Sequence, residues 1–121
     1  MGKNRKYDLL ERTARFAEAI IRFAKKVPRN PVTNPLIGQL VGAGTSVGAN
    51  YREANDASSR RDFRSKIGIC RKEASETTFW LHMIVVAEPQ MKEEARLLWL
   101  EGHQLHLIFA KSFDTAGRNL E

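Results

Sequence analysis

The segment Leu36–Tyr51, LIGQLVGAGTSVGANY, most constrains what this chain can become, because it holds four glycines and no charged residue. Its apolar residues recur at helical spacing, so it reads as a helix. A glycine inside a helix costs about 1 kcal/mol relative to alanine. A helix carrying four of them is stable only where something packs closely against it. On a helical wheel Gly38, Gly42, Thr45 and Ala49 form a seam of small residues opposite Leu40, Val47 and Tyr51. Two partners suit that seam: neighbouring helices of the same chain, or a second subunit.

The flanking sequence supplies the neighbours. A helix is expected from about Asp8 to Val27, with Leu10, Ala14, Ala17, Ile21 and Ala24 on its inner stripe. Pro28, Pro31 and Pro35 stop it and restart the chain, with Asn34 as cap and Pro35 at the first helical position of a second helix ending near Ala54. Ser59 followed by Asp62 resembles a capping box and opens a third helix to about Ala87. Phe63, Ile67, Cys70, Ala74, Thr77, Leu81 and Ile84 share one face of it. Glu88-Pro89 breaks that helix, and a fourth follows with Met91, Ala95, Leu98, Leu105 and Phe109 inward. Strand-like alternation is missing. Four helices on short links predict one all-α domain over 1–121, an antiparallel up-down-up-down four-helix bundle, with 1–6 and 114–121 frayed.

Several function classes drop out. The 121 residues contain one cysteine, so no internal disulfide framework is possible, and a free buried thiol fits a reducing cytoplasm. The N-terminus lacks the apolar core of a signal peptide, and no run reaches the ~18 apolar residues of a membrane span. No Walker loop, dinucleotide fingerprint, HExxH, GxSxG or CxxC occurs. His103 and His106 are three apart and His82 stands alone. No glutamate precedes any of them by three, as a carboxylate-bridged metal bundle would require. The expectation is a chain with no catalytic residues, metal or cofactor.

Two surplus features point outward. More apolar surface is present than one core needs: Phe79, Trp80 and Met83 on the third helix and Leu100 and Leu107 on the fourth fall off the inner stripes. Together with Gly38, Gly42, Thr45 and Ala49 they form the expected oligomer interface. Charge is also segregated. The net charge of +6 divides into +6 over residues 1–30, +4 over 31–72 and −4 over 73–121. Such a chain attracts a polyanion, or a copy of itself head to tail, and head-to-tail contacts close into rings when the rotation permits.

The stretch TSVGANYREA followed by SSRRDF and KEASET resembles the four-helix-bundle proteins of the 23S rRNA-intervening-sequence type, from about Tyr7 to Phe113. Ser46, Asn50, Glu53, Ser59, Phe63 and Glu76 carry the closest likeness. Many members have Asn-Ile-Ala-Glu-Gly where this chain has Asn50-Tyr51-Arg52-Glu53-Ala54, which leaves Asn55 as the expected left-handed helix cap. A similar fold serves as the accessory protein of diversity-generating retroelements, a basic pentamer that binds a reverse transcriptase and nucleic acid. The resemblance therefore implies a homopentamer, RNA or DNA as partner, and a protein partner such as a reverse transcriptase. It defines no catalytic residue to carry over.

The residues themselves offer two sites. Ser46, Asn50, Glu53, Ser59 and Glu76 read as polar stitching of the hairpin between helices two and three. Glu53 is expected to pair with an arginine there, and Asn50 to hold the turn's backbone. Arg15, Arg22, Lys25 and Lys26 on the first helix and Arg60, Arg61 and Arg64 on the third suit phosphate, which needs cations and little else. The leading expectation is a cytoplasmic, non-catalytic accessory protein that binds nucleic acid. The alternative is a protein–protein scaffold with no nucleic-acid role.

Overall fold

The computed structural model describes residues 8–118 and 120, so the expected fraying of 1–6, and of 119 and 121, lies outside the described residues. Four antiparallel helices run α1 (Leu9–Lys26), α2 (Thr33–Asn55), α3 (Arg60–Ala87) and α4 (Lys92–Arg118), with one 3₁₀ turn at Pro89–Met91 before α4. Among the described residues there is no strand. Each helix packs on its chain neighbours, and α1 also meets α4, which closes the bundle.

The caps explain the boundaries. Asp8 caps α1 by accepting from Glu11 N at 3.2 Å. Asn30, not Asn34, starts α2: its Oδ1 accepts from Val32 N and Thr33 N, each at 2.9 Å. Thr33 Oγ1 donates to Pro28 O at 2.6 Å, which anchors the linker. Pro35 thus sits inside the first turn, where its missing N–H removes no helical bond. Ser59 Oγ accepts from Asp62 N at 3.0 Å and begins α3. Asn55 is no left-handed cap, because no non-glycine residue has positive φ among the described residues. The chain turns instead through bonds from Asp56 N to Arg52 O and from Ala57 N to Ala54 O. At the far end α4 continues through 114–118, past the point where the sequence was expected to fray.

The core stripes of α3 and α4 follow the expected periodicity, with Phe63 and Leu98 half-buried at its edge. That of α1 does not. Its buried residues are Thr13, Phe16, Ile20, Phe23, Ala24 and Val27, while Ala14 is exposed and Ile21 is 42% exposed. The expected stripe would have turned three alanines inward at the expense of two phenylalanines. Burying each phenylalanine is worth roughly 1.5–3 kcal/mol, so the helix is rotated to hide the rings. Thr13 tolerates burial because its Oγ1 donates to Leu9 O at 2.6 Å.

The glycines of α2 divide into two lines. Gly44 and Gly48 are buried against α1: a Cβ at Gly44 would lie 2.9 Å from Ile20 Cγ2, and one at Gly48 would lie 3.2 Å from Thr13 Oγ1. Gly38 and Gly42 are exposed, and a Cβ at either would meet nothing within 4 Å. Ala49 is exposed and Thr45 half-buried on the same side. The seam of Gly38, Gly42, Thr45 and Ala49 therefore takes no part in packing the bundle. The close approach of α1 uses the other two glycines.

Candidate functional site

The polar residues of the α2–α3 hairpin mostly serve their own helix. Ser46 Oγ donates to Gly42 O at 2.7 Å and Asn50 Nδ2 donates to Ser46 O at 2.8 Å. Asn50 therefore satisfies a carbonyl of α2 and does not hold the turn. Glu53 accepts from Lys66 Nζ at 2.7 Å, so its partner across the hairpin is a lysine two residues beyond Arg64 and none of the arginines expected. Arg60 and Arg61 are exposed at the start of α3, and Glu76 is exposed midway along it. Desolvation, and then the charge of Glu76, raise the neighbouring Glu73 carboxyl above its ordinary range. Where the hairpin meets the end of α4, an open cleft of about 620 Å³ is lined by Asn55, Ser58, Ser59, Phe63, Ser112 and Thr115. It offers hydroxyls over an apolar floor, without a pair of titratable groups suited to acid–base work.

The cations of α1 are largely neutralised within the chain. Arg15 pairs with Glu11, and Arg22 lies 3.7 Å from Glu18 one turn away. Lys26 Nζ reaches Glu94 of α4 at 2.6 Å. Arg12 grips Glu101 of α4 through two bonds of 2.7 and 2.9 Å, a two-point contact that fixes the approach of α1 to α4. Of the four α1 residues expected to meet phosphate, Lys25 alone has no carboxylate within 4.0 Å among the described residues.

The cations of α3 behave differently. Arg60, Arg61, Arg71 and Lys72 have no carboxylate within 4.0 Å among the described residues. Arg64 is held without one: its Nε donates to Phe113 O at 3.0 Å, and its guanidinium lies 3.7 Å over the Phe113 ring. Arg71 stands 4.5 Å over the same ring. Two glycines make this arrangement possible. A Cβ at Gly117 would lie 2.7 Å from Arg64 Nη2, and one at Gly68 would lie 3.0 Å from Phe113 Cε1. Arg64 is thus a tie between the start of α3 and the end of α4 as well as a surface cation. Arg64→Ala is expected to cost about 1–2 kcal/mol through the lost bond and cation–π contact. Its sign is faster amide exchange over residues 113–118, with α1 and α2 unchanged; unchanged exchange there would remove the tie.

Sequence reasoning overlooked Phe113 of α4, because its relevance comes from the register of α4 on α3. His106 Nδ1 lies 3.2 Å from Arg71 O, and the His103 ring stacks on Trp99 with centroids 5.0 Å apart and planes at 14°. His82 is exposed, and among the described residues no group of three His, Cys, Asp or Glu is placed to hold a metal.

The outward apolar residues sit where the wheel places them. Phe79 is 51% exposed and packs edge-on to half-buried Trp80 at 4.9 Å, and Met83 is half-buried nearby in sequence. Leu100 and Leu107 of α4 are about half exposed, joined there by Leu97. No helix of the described residues is long and apolar enough to cross a membrane.

Cys70 is buried at 0% exposure on the core stripe of α3, and its thiol faces Val47 O at 3.6 Å. Desolvation pushes the thiol up to about 12 from an ordinary value of 9.0. The thiolate is the reactive form, so native Cys70 is expected to be alkylated at pH 8 at least ~100-fold more slowly than the urea-unfolded chain. Equal rates would show that the thiol is open to solvent.

A family described as 23S rRNA-intervening sequence protein matches residues 5–106. No curated protein matches the chain at a significant level. Among solved structures, the fold is similar to that of a protein with unknown function from the S23 ribosomal protein family of Bacteroides thetaiotaomicron. The two are 29% identical over 86% of this chain and 96% of that one, with a TM-score of 0.75.

Proposed function

The chain belongs to the 23S rRNA-intervening sequence protein family, and from that premise we propose that it is a non-catalytic, cytoplasmic accessory protein that binds RNA or DNA through its basic surfaces. The observation that carries this reading is the set of α3 cations, Arg60, Arg61, Arg71 and Lys72, which no carboxylate of the described chain neutralises. Unpaired cations on a rigid helix favour a polyanion, because each phosphate contact releases condensed counterions. Lys25 gives α1 a separate free cation, beside Arg15, Arg22 and Lys26, whose exposed ion pairs are worth only about 0–1 kcal/mol each.

The same proposal includes self-association, as a homopentamer. The bare small residues of α2, the outward Phe79, Trp80 and Met83 of α3 and the exposed leucines of α4 supply apolar surface on three different helices. They suit the head-to-tail contact that closes a ring. A ring repeats each basic surface around its axis and raises avidity for a long strand. A reverse transcriptase is one protein partner consistent with the family resemblance. Should the surfaces serve only proteins, the chain is a scaffold.

Direct binding separates the two readings. Labelled RNA and DNA oligonucleotides at low salt are expected to bind with micromolar affinity or better, on the order of the non-specific affinities of cationic proteins. No binding of either at low salt would sink the nucleic-acid reading and favour the scaffold. Light scattering at tens of micromolar tests the assembly, and a monomeric mass there would refute the ring.

A further inference from the structure

We infer that the groove between α3 and α4 is a track for single-stranded nucleic acid, with Trp99 and the Arg64–Phe113–Arg71 cluster as stacking platforms at its ends, His103 and His106 joining them, and Lys72 and Arg96 as phosphate contacts. The inference rests on the nucleic-acid reading above and narrows it to one surface and one form of partner.

The rings follow one another along the groove. At one end Trp99 lines an apolar recess of about 220 Å³ with Leu81, His82, Val85, Lys92 and Arg96. His103 stacks on Trp99, and the His106 ring lies 6.4 Å from His103 with planes at 23°. His106 in turn touches Arg71 O, and the Arg71 and Arg64 guanidiniums lie over Phe113. From Trp99 to Phe113 the track follows α4 for about 21 Å at the rise of an α-helix. The histidines stack on Trp99 and on each other, which leaves Trp99, 39% exposed at the recess, and the guanidinium planes beside Phe113 as the flat surfaces on which unpaired bases stack. A duplex keeps its bases stacked inside and has no use for such surfaces.

The groove carries cations that no carboxylate neutralises. Arg96 lines the recess beside Trp99, Lys72 is exposed next to Arg71 on α3, and neither has a carboxylate within 4.0 Å among the described residues. Two carboxylates of α4, Glu94 and Glu101, turn the other way and hold Lys26 and Arg12 of α1. α3 and α4 together carry ten Lys and Arg against seven Asp and Glu, so with Glu94 and Glu101 committed to α1 the two helices stay net cationic, with Glu73, Glu76, Glu93 and Asp114 interspersed among the cations. A backbone of phosphates complements the free cations, and bases complement the flat surfaces beside them.

The test compares charge-matched variants by fluorescence anisotropy with a labelled oligothymidylate, an oligouridylate and a duplex of equal length, at low salt. Lys72→Glu/Arg96→Glu is expected to weaken single-strand binding roughly tenfold or more, and Arg22→Glu/Lys25→Glu less than about threefold. Trp99→Ala is expected to cost about tenfold on single strands, with Trp99→Phe restoring most of it. Light scattering and circular dichroism should show all variants with the mass and helix content of the wild type. Equal loss from the α1 pair, or a duplex bound as tightly as a single strand, would overturn the groove while leaving nucleic-acid binding intact. Single-strand affinity unmoved by Trp99→Ala would do the same. A wild-type protein that binds phosphatidylserine vesicles and no oligonucleotide would overturn both the groove and the function it rests on.

Discussion

Gly44→Leu is expected to destabilise the bundle by about 1–3 kcal/mol, and Gly42→Leu two residues away to leave it intact. The difference lies in what each side chain meets. At Gly44 the first added carbon already falls 2.9 Å from Ile20, which is fully buried between α1 and α2. A leucine there must force the helices apart or push Ile20 off its rotamer, and overpacking of this kind costs about 1–3 kcal/mol, occasionally more. The better helix propensity of leucine returns less than 1 kcal/mol. At Gly42 the added side chain enters open space, so only the propensity gain remains. Denaturation at fixed protein concentration measures both, since any subunit contact adds to apparent stability. Equal losses at the two positions would contradict the rotation of α2 described above. The mass of Gly42→Leu carries separate information. A smaller assembly with unchanged helix content would place the outer seam in the subunit interface, and an unchanged mass would remove it.

Salt is expected to weaken nucleic-acid binding by about 100-fold between 50 and 200 mM, if about five phosphates of a single strand are neutralised at a slope of about −0.7 per contact. Together α3 and α4 supply that many cations free of internal pairing among the described residues: Arg60, Arg61, Arg71, Lys72, Arg96 and Lys111. If the α1 cations carried the binding instead, each phosphate would first displace a carboxylate, and the affinity at low salt would be smaller from the outset. A logarithmic plot of affinity against salt gives the contact number directly. A flat plot would mean that cations are not the contact, and would transfer these surfaces to a protein partner. Mass is followed across the same titration, because a ring held by opposite charges also loosens with salt.

Much of the fold is legible in the residues. The helical recurrence of Ile67, Cys70, Ala74, Thr77, Leu81 and Ile84, and the breaks at Pro28 and Pro89, set the number of helices and most of their ends. Ser59 announces the start of α3 because a hydroxyl three residues before a free N–H has one effective use. The family likeness is also legible, and the match over residues 5–106 includes that hairpin. The inner face of α1 was harder to read, because alanines at helical spacing resemble a stripe. The competing stripe contains two phenylalanines, and the larger rings decide the rotation once a core exists to receive them.

The candidate site was less legible. Basic residues are visible in a sequence, but whether each is free is settled by carboxylates on another helix. Lys26 and Glu94 are 68 positions apart, as Arg12 and Glu101 are 89, and only the packing of α1 on α4 joins them. The same holds for Phe113 under Arg64 and Arg71. Local chemistry, carried by periodicity, prolines and caps, was therefore determined by the sequence alone: four helices, their order and a short-linked antiparallel bundle. The tertiary structure decided which glycines of α2 are packed and which are bare, which cations are spent inside the chain, and where flat rings line up. Each of those depends on the rotation and register of one helix against another, and these are set by the summed packing of the whole core rather than by any single stretch of chain.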